Sequence, residues 1–220
     1  MTTSPIEQTA RAGGFVLALG TAGVMVTSAF YGISPPQAAL PVIPVDFAAA
    51  ASAAPRGQAT MHLAGLFGVL GDVLYCAAGL LLGAIELVRG RGFAAIGWFL
   101  IAISGIVFVG VDALVGFVLA QSANEAAFAA VKRLFDVLFL LGTATFGLGV
   151  LAAFAGRLRA GENARLLYGF AVAMGCVATL SGLAGLLGMA VNPHILGISI
   201  AGSATLFTVI GIRYALTGRS

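Results

Sequence analysis

Between Asp136 and Arg157 the chain runs twenty residues, 137–156, with no Asp, Glu, Lys, Arg or His. Lys132, Arg133 and Asp136 bracket that run on one side, and Arg157, Arg159 and Arg165 on the other. A helix of about 20 apolar residues crosses a ~30 Å hydrocarbon layer, and charges collect where it leaves the layer. The pattern recurs along the chain, with apolar spans at about 12–33, 61–88, 92–119, 129–156, 166–190 and 195–214. The chain is 60% hydrophobic and 9% charged, against roughly 45–50% and about 25% in soluble domains. The expected fold is all-α: a polytopic transmembrane helical bundle of six spans, one domain over residues 1–220, surrounded by a lipid bilayer.

The apolar run after Arg11 is longer than the 7–15 residues of a signal-peptide core, so it is read as the first span. If the N-terminus is cytoplasmic, Arg11, Arg89, Arg91, Arg157, Arg159, Arg165, Arg213 and Arg219 lie inside, against Arg56, Lys132 and Arg133 outside. Positive charge favours the cytoplasmic side, so the expected topology is N-in and C-in, in a bacterial inner (plasma) membrane. The net charge of +3 is scattered over helix ends rather than gathered on one face, which argues against nucleic acid as a partner.

The longest connection, residues 34–60, is rich in Pro and Ala; Asp46 is placed to cap a short helix there, and the segment is a linker or a lid. Asp72 is the costliest residue, roughly 16 Å into the second span at 1.5 Å per residue. Gly65, Gly68 and Gly71 around it allow a neighbouring backbone to come close, and Tyr75 or Cys76, one turn on, could share a hydrogen bond with it. Asp112, Lys132, Arg133 and Asp136 fall toward the same outer side and form, with Asp72 and Tyr75, the candidate ligand- or proton-binding cluster. Arg133 and Lys132 stand three and four residues before Asp136, so one turn can also pair them as a purely structural feature. Glu86 is expected to pair with Arg89 at the inner edge, and Trp98 to anchor the third span at an interface. Cys76 and Cys176 are expected to be unpaired thiols within the hydrocarbon.

The order of elements resembles the bacterial six-helix membrane family known as domain of unknown function 4386. The resemblance rests on Thr9-Ala-Arg-Ala-Gly13 leading into the first helix, an acidic residue within the second, Arg133-Leu-Phe-Asp136, Phe139-Leu-Leu-Gly142-Thr143 and Phe146-Gly147-Leu148-Gly149. Asp112 stands where that pattern would carry an arginine and a glutamate together. The resemblance covers nearly the whole chain and implies topology without an activity.

Catalysis is not expected. Two histidines do not supply the three protein ligands of a zinc hydrolase, no metal site is indicated, and no H-E-x-x-H, G-x-S-x-G or P-loop pattern occurs. His62 and His194 fall on the same side of the membrane and could ligate a b-type haem; otherwise no cofactor is called for. Glycine, at 31 of 220 residues, is about twice its usual ~7%, and Gly79, Gly83, Gly182 and Gly185 form small-residue faces suited to helix packing. The leading expectation is therefore a non-enzymatic subunit or helix-packing accessory protein of a homo-oligomer or larger membrane complex. A small-ligand binder or proton-coupled transporter is the alternative, and a haem protein a further one.

Overall fold

The structure, a computed structural model, describes residues 4–41, 44–122, 124–159 and 164–218. In chain order its helices are α1 (Pro5–Ile33), α2 (Pro36–Ala39), α3 (Phe47–Ala53), α4 (Gln58–Val88), α5 (Gly92–Ala113), α6 (Glu125–Arg159), α7 (Arg165–Leu186) and α8 (Pro193–Thr217). Six of them are long and apolar enough to cross a membrane, and no strand occurs among the described residues. Arg219 lies outside the described residues.

Local chemistry moves several boundaries away from the apolar runs. α1 begins at Pro5 because Ser4 caps it: Ser4 Oγ accepts from the Glu7 amide at 3.2 Å, while a Glu7 carboxylate oxygen accepts from the Ser4 amide at 3.3 Å. α7 stops at Leu186, short of residue 190, because Gly188 adopts φ +77°. Its amide then reaches the Gly185 carbonyl and the Met189 amide reaches Ala184, both at 2.9 Å, which closes the helix. Asp46 caps α3, accepting from the Ala49 amide at 3.0 Å.

The long helices pack in a ring in the order α1, α4, α5, α6, α7, α8. α8 returns to seat on α1 and touches α7 only lightly. Large apolar side chains such as Phe15, Leu70, Ile106 and Leu180 cover the periphery, as a lipid-facing surface requires. The ring has two ends. One carries α2, α3 and the start of α8 and is called the strap end; the other carries Arg89, Arg91 and Arg157 and is called the arginine end.

Small residues set the helix spacing, inside the chain. A Cβ on Gly79 would lie 3.0 Å from the Trp98 carbonyl of α5, and one on Gly83 would enter the Phe99 ring. Gly182 and Gly185 meet Ala144 and Leu140 of α6 in the same way. Gly97 makes the tightest approach to main chain, its absent Cβ overlapping the Ala153 amide of α6. Gly97→Val is therefore expected to separate α5 from α6, lowering the thermal midpoint in detergent by more than overpacking's usual cost of about 1–3 kcal/mol; an unchanged midpoint would mean the two helices can slide apart freely.

Trp98 corrects an expectation. Rather than anchoring an interface, it is fully buried, edge-on to Phe154 at 5.7 Å and to Phe207 at 5.6 Å. Its position in the sequence is near a helix end, but the face it occupies looks into the ring.

Candidate functional site

The polar residues expected to form one nest form separate groups. Asp72 and Asp112 are brought together by the glycine stripe of α4. A Cβ on Gly65 would stand 2.6 Å from both the Asp112 carbonyl oxygen and the Gly116 Cα, and one on Gly68 would overlap the Asp112 carboxyl itself. Only glycine lets the end of α5 approach this closely. Directly after Asp112 the chain loosens into a π-helical turn, Leu114–Val118, and then a 3-10 turn, Leu119–Gln121. Such π turns recur at functional sites because they redirect the side chains beside them. Gly71, the third member of the stripe, faces the other way and admits Gly20 and Val24 of α1.

Tyr31 of α1 donates its hydroxyl to Asp112 Oδ1 at 2.5 Å. The Asp112 carboxyl seats on Gly68, one turn before Asp72 on α4. Asp72 Oδ2 has no hydrogen-bond partner in the structure, and the Tyr75 hydroxyl also has none. Both residues are almost completely enclosed, Asp72 at 4% and Tyr75 at 5% exposure. Buried polar atoms left unbonded are uncommon enough to call for an explanation.

These groups line a cavity of about 370 Å³ between α1, α4, α5, α6 and α8. Thr21, Thr27 and Ser28 contribute hydroxyls from α1, while α6 and α8 contribute chiefly apolar and aromatic surface. Its floor is an aromatic plug: Phe207 lies 5.9 Å from Tyr75 and 5.8 Å from Phe146, with Trp98 beneath. Ile198 lines the cavity and is nevertheless 68% exposed, so the cavity reaches the molecular surface along the strap-end half of the α1–α8 seam.

Lys132 and Asp136 form a second group, and neither lines the cavity. They pair with each other across one turn of α6, and Lys132 Nζ also donates to the Leu40 carbonyl at 2.9 Å. Lys132 sits 4.8 Å from the Phe135 ring centroid. The pair thus anchors the strap to α6, and Leu40, held by it, forms part of the cavity wall. Arg133, 100° further around the helix, is exposed and lies over the Phe47 ring at 4.9 Å. It does not join Asp136.

His62 is also apart from the cavity. Its Nδ1 is 3.2 Å from the Gly116 carbonyl and its ring stands edge-on to Phe117 at 5.1 Å. The side chain of His194 lies outside the described residues. Cys76 and Cys176 are free thiols.

At the arginine end stands a network that spacing alone did not reveal. Glu86, fully buried, meets Arg157 at 2.7 Å, Arg89 at 3.4 Å and Arg91 at 3.5 Å, and accepts from the Tyr214 hydroxyl at 3.3 Å. Gly90 at φ +72° reverses the chain after α4 and returns the Arg91 amide to the Glu86 carbonyl at 2.9 Å, which brings both neighbouring arginines back over the carboxylate. Glu86 therefore does more than pair with Arg89; it joins α4 to α6 and α8. The available signal was that Arg157 and Tyr214 fall at the same depth as Glu86. Compared with protein-family models, curated proteins and solved structures, the chain matches none of them.

Proposed function

We propose that this multi-pass membrane protein is a non-enzymatic binder of a small ligand, taken up in the cavity beside Asp72 and Asp112. On this proposal it sits in a bacterial inner membrane with both termini inside, as its arginine distribution indicates, and the strap end faces outward. Its likeness to the six-helix family known as domain of unknown function 4386 belongs to the same proposal and rests on the motifs of the first, second and fourth helices.

The observation that carries the proposal is the coincidence of a 370 Å³ cavity with two enclosed polar atoms, Asp72 Oδ2 and the Tyr75 hydroxyl, that lack partners. The volume falls within the range of small-molecule sites, roughly 300–1,000 Å³. Against the role of a packing subunit stands the use of Gly79, Gly83, Gly182 and Gly185 within the chain, which leaves those faces unavailable to a partner.

Filling the cavity provides the test. Ala201 lines it from α8 and is only partly buried, so Ala201→Phe can place its ring in the empty space without displacing a packed neighbour. Native mass spectrometry of protein extracted gently from its own membranes should show a small adduct on the wild type and none on A201F, with similar thermal midpoints. An adduct retained equally by both places the ligand elsewhere, and a second polypeptide in place of any adduct returns the role to that of an accessory subunit.

A further inference from the structure

The geometry points to a ligand that is an apolar organic cation, an amine or quaternary ammonium on a hydrophobic body, held beside the Asp72 and Asp112 carboxyls. This rests on the binding function proposed above and adds the ligand's chemistry to it.

Charge decides the sign. The carboxyls come from α4 and α5; the other titratable groups facing them are Tyr31 of α1 and Tyr75 and Cys76 of α4. α6 and α8 place no charged side chain in the wall. The nearest buried cations have other partners: Lys132 is held by Asp136 and the Leu40 carbonyl, and Arg157 by Glu86 and Tyr214. An anion entering this space would meet carboxyl groups and no counter-charge. A cation would meet one or two carboxylates in a low-dielectric enclosure, where their attraction is strong.

The rest of the wall selects the kind of cation. Tyr31, Tyr75, Phe108, Phe139, Phe146 and Phe207 ring the space, and aromatic faces attract ammonium groups at short range. A bare metal ion wants six or more oxygens around it. The oxygens here are confined to α1, α4 and α5, opposite apolar surface on α6 and α8, and no group of three or more His, Cys, Asp or Glu suited to a metal occurs among the described residues. A zwitterionic phospholipid headgroup fits poorly as well, since its phosphate would find no positive partner in the wall. Entry along the α1–α8 seam, where Ile198 is exposed, suits a molecule that partitions into apolar surroundings.

The full chain in lipid nanodiscs can be titrated with benzyltrimethylammonium and, separately, with neopentylbenzene, which has nearly the same shape and no charge. Calorimetry on the wild type compares the two compounds directly. We expect the cation to bind at least tenfold tighter than its neutral counterpart, and Asp72→Asn to lose most of that preference. Equal affinity for the two compounds, each abolished by A201F, would leave the binding site in place and overturn the cationic ligand. No binding of either compound, with A201F indistinguishable from wild type, would overturn the binding function together with this inference.

Discussion

Glu86→Gln should destabilise the protein by about 3–5 kcal/mol, because it strands the Arg157 guanidinium inside the bundle. Arg157 is 4% exposed, and its Nε and Nη1 already lack hydrogen-bond partners. Its charge is balanced by Glu86 at 2.7 Å, with only the Tyr214 hydroxyl at 2.9 Å and aromatic faces beside it. Removing the opposite partner is not equivalent. Arg157→Met leaves Glu86 with Arg89, Arg91 and Tyr214 still in reach, so its cost should be clearly smaller. Arg89 and Arg91 are 21% and 44% exposed, which screens them but keeps the carboxylate compensated. The double variant, with neither buried charge unpaired, should recover much of what E86Q loses. Thermal unfolding in detergent resolves the order, since 3–5 kcal/mol corresponds to a shift on the order of 10 °C at this chain length. Equal losses in the two single variants, or a double variant worse than either, would show that the network is not centred on the Glu86–Arg157 pair.

The class of fold could be read from the sequence because hydrocarbon leaves the backbone few choices. Runs such as 137–156, closed by charge at both ends, have no other stable home. The helix ends were less legible. Ser4 extends α1 by a hydrogen-bonded cap and Gly188 shortens α7 by a backbone reversal, and neither event leaves a trace in hydropathy.

The candidate site was legible where cost marks it and opaque where geometry builds it. Asp72 stands out because a carboxyl in mid-span is expensive, and Tyr75 falls beside it one turn on. The carboxyl of Asp112 meets Asp72 only because α5 crosses the Gly65–Gly68 stripe, and Tyr31 reaches Asp112 from 81 residues away. Sequence spacing measures neighbours along one helix and says little about which face a second helix presents. The same limit assigned Glu86 to Arg89, three residues on, when its closest partner is Arg157 of α6, and sent Trp98 to an interface when its face looks inward. The pairing of Lys132 with Asp136 is legible because both lie on one helix; the bond from Lys132 to the Leu40 carbonyl is not.

Gly68 and Gly65 offer a way to separate the site from the scaffold with the same small change. A methyl group on Gly68 would coincide with the Asp112 carboxyl, its nearest atoms all belonging to that side chain. The side chain can rotate away, but it then abandons Tyr31 and Asp72. Gly68→Ala should therefore lower stability modestly, by about 1–3 kcal/mol, while weakening binding of an organic cation at least tenfold. A methyl group on Gly65 meets main chain instead: the Asp112 carbonyl oxygen at 2.6 Å, the Gly116 Cα at 2.6 Å and the Gly116 nitrogen at 2.9 Å. Nothing there can turn aside, so the π turn must shift as a body. Gly65→Ala should cost more stability than Gly68→Ala, although alanine is the better helix former at both positions. Thermal midpoints and calorimetric titration with benzyltrimethylammonium distinguish the two. Wild-type binding in G68A would show that Asp112 does not need its place beside Asp72. A milder loss of stability in G65A than in G68A would show that the α4–α5 contact is softer than the close approach of their backbones implies.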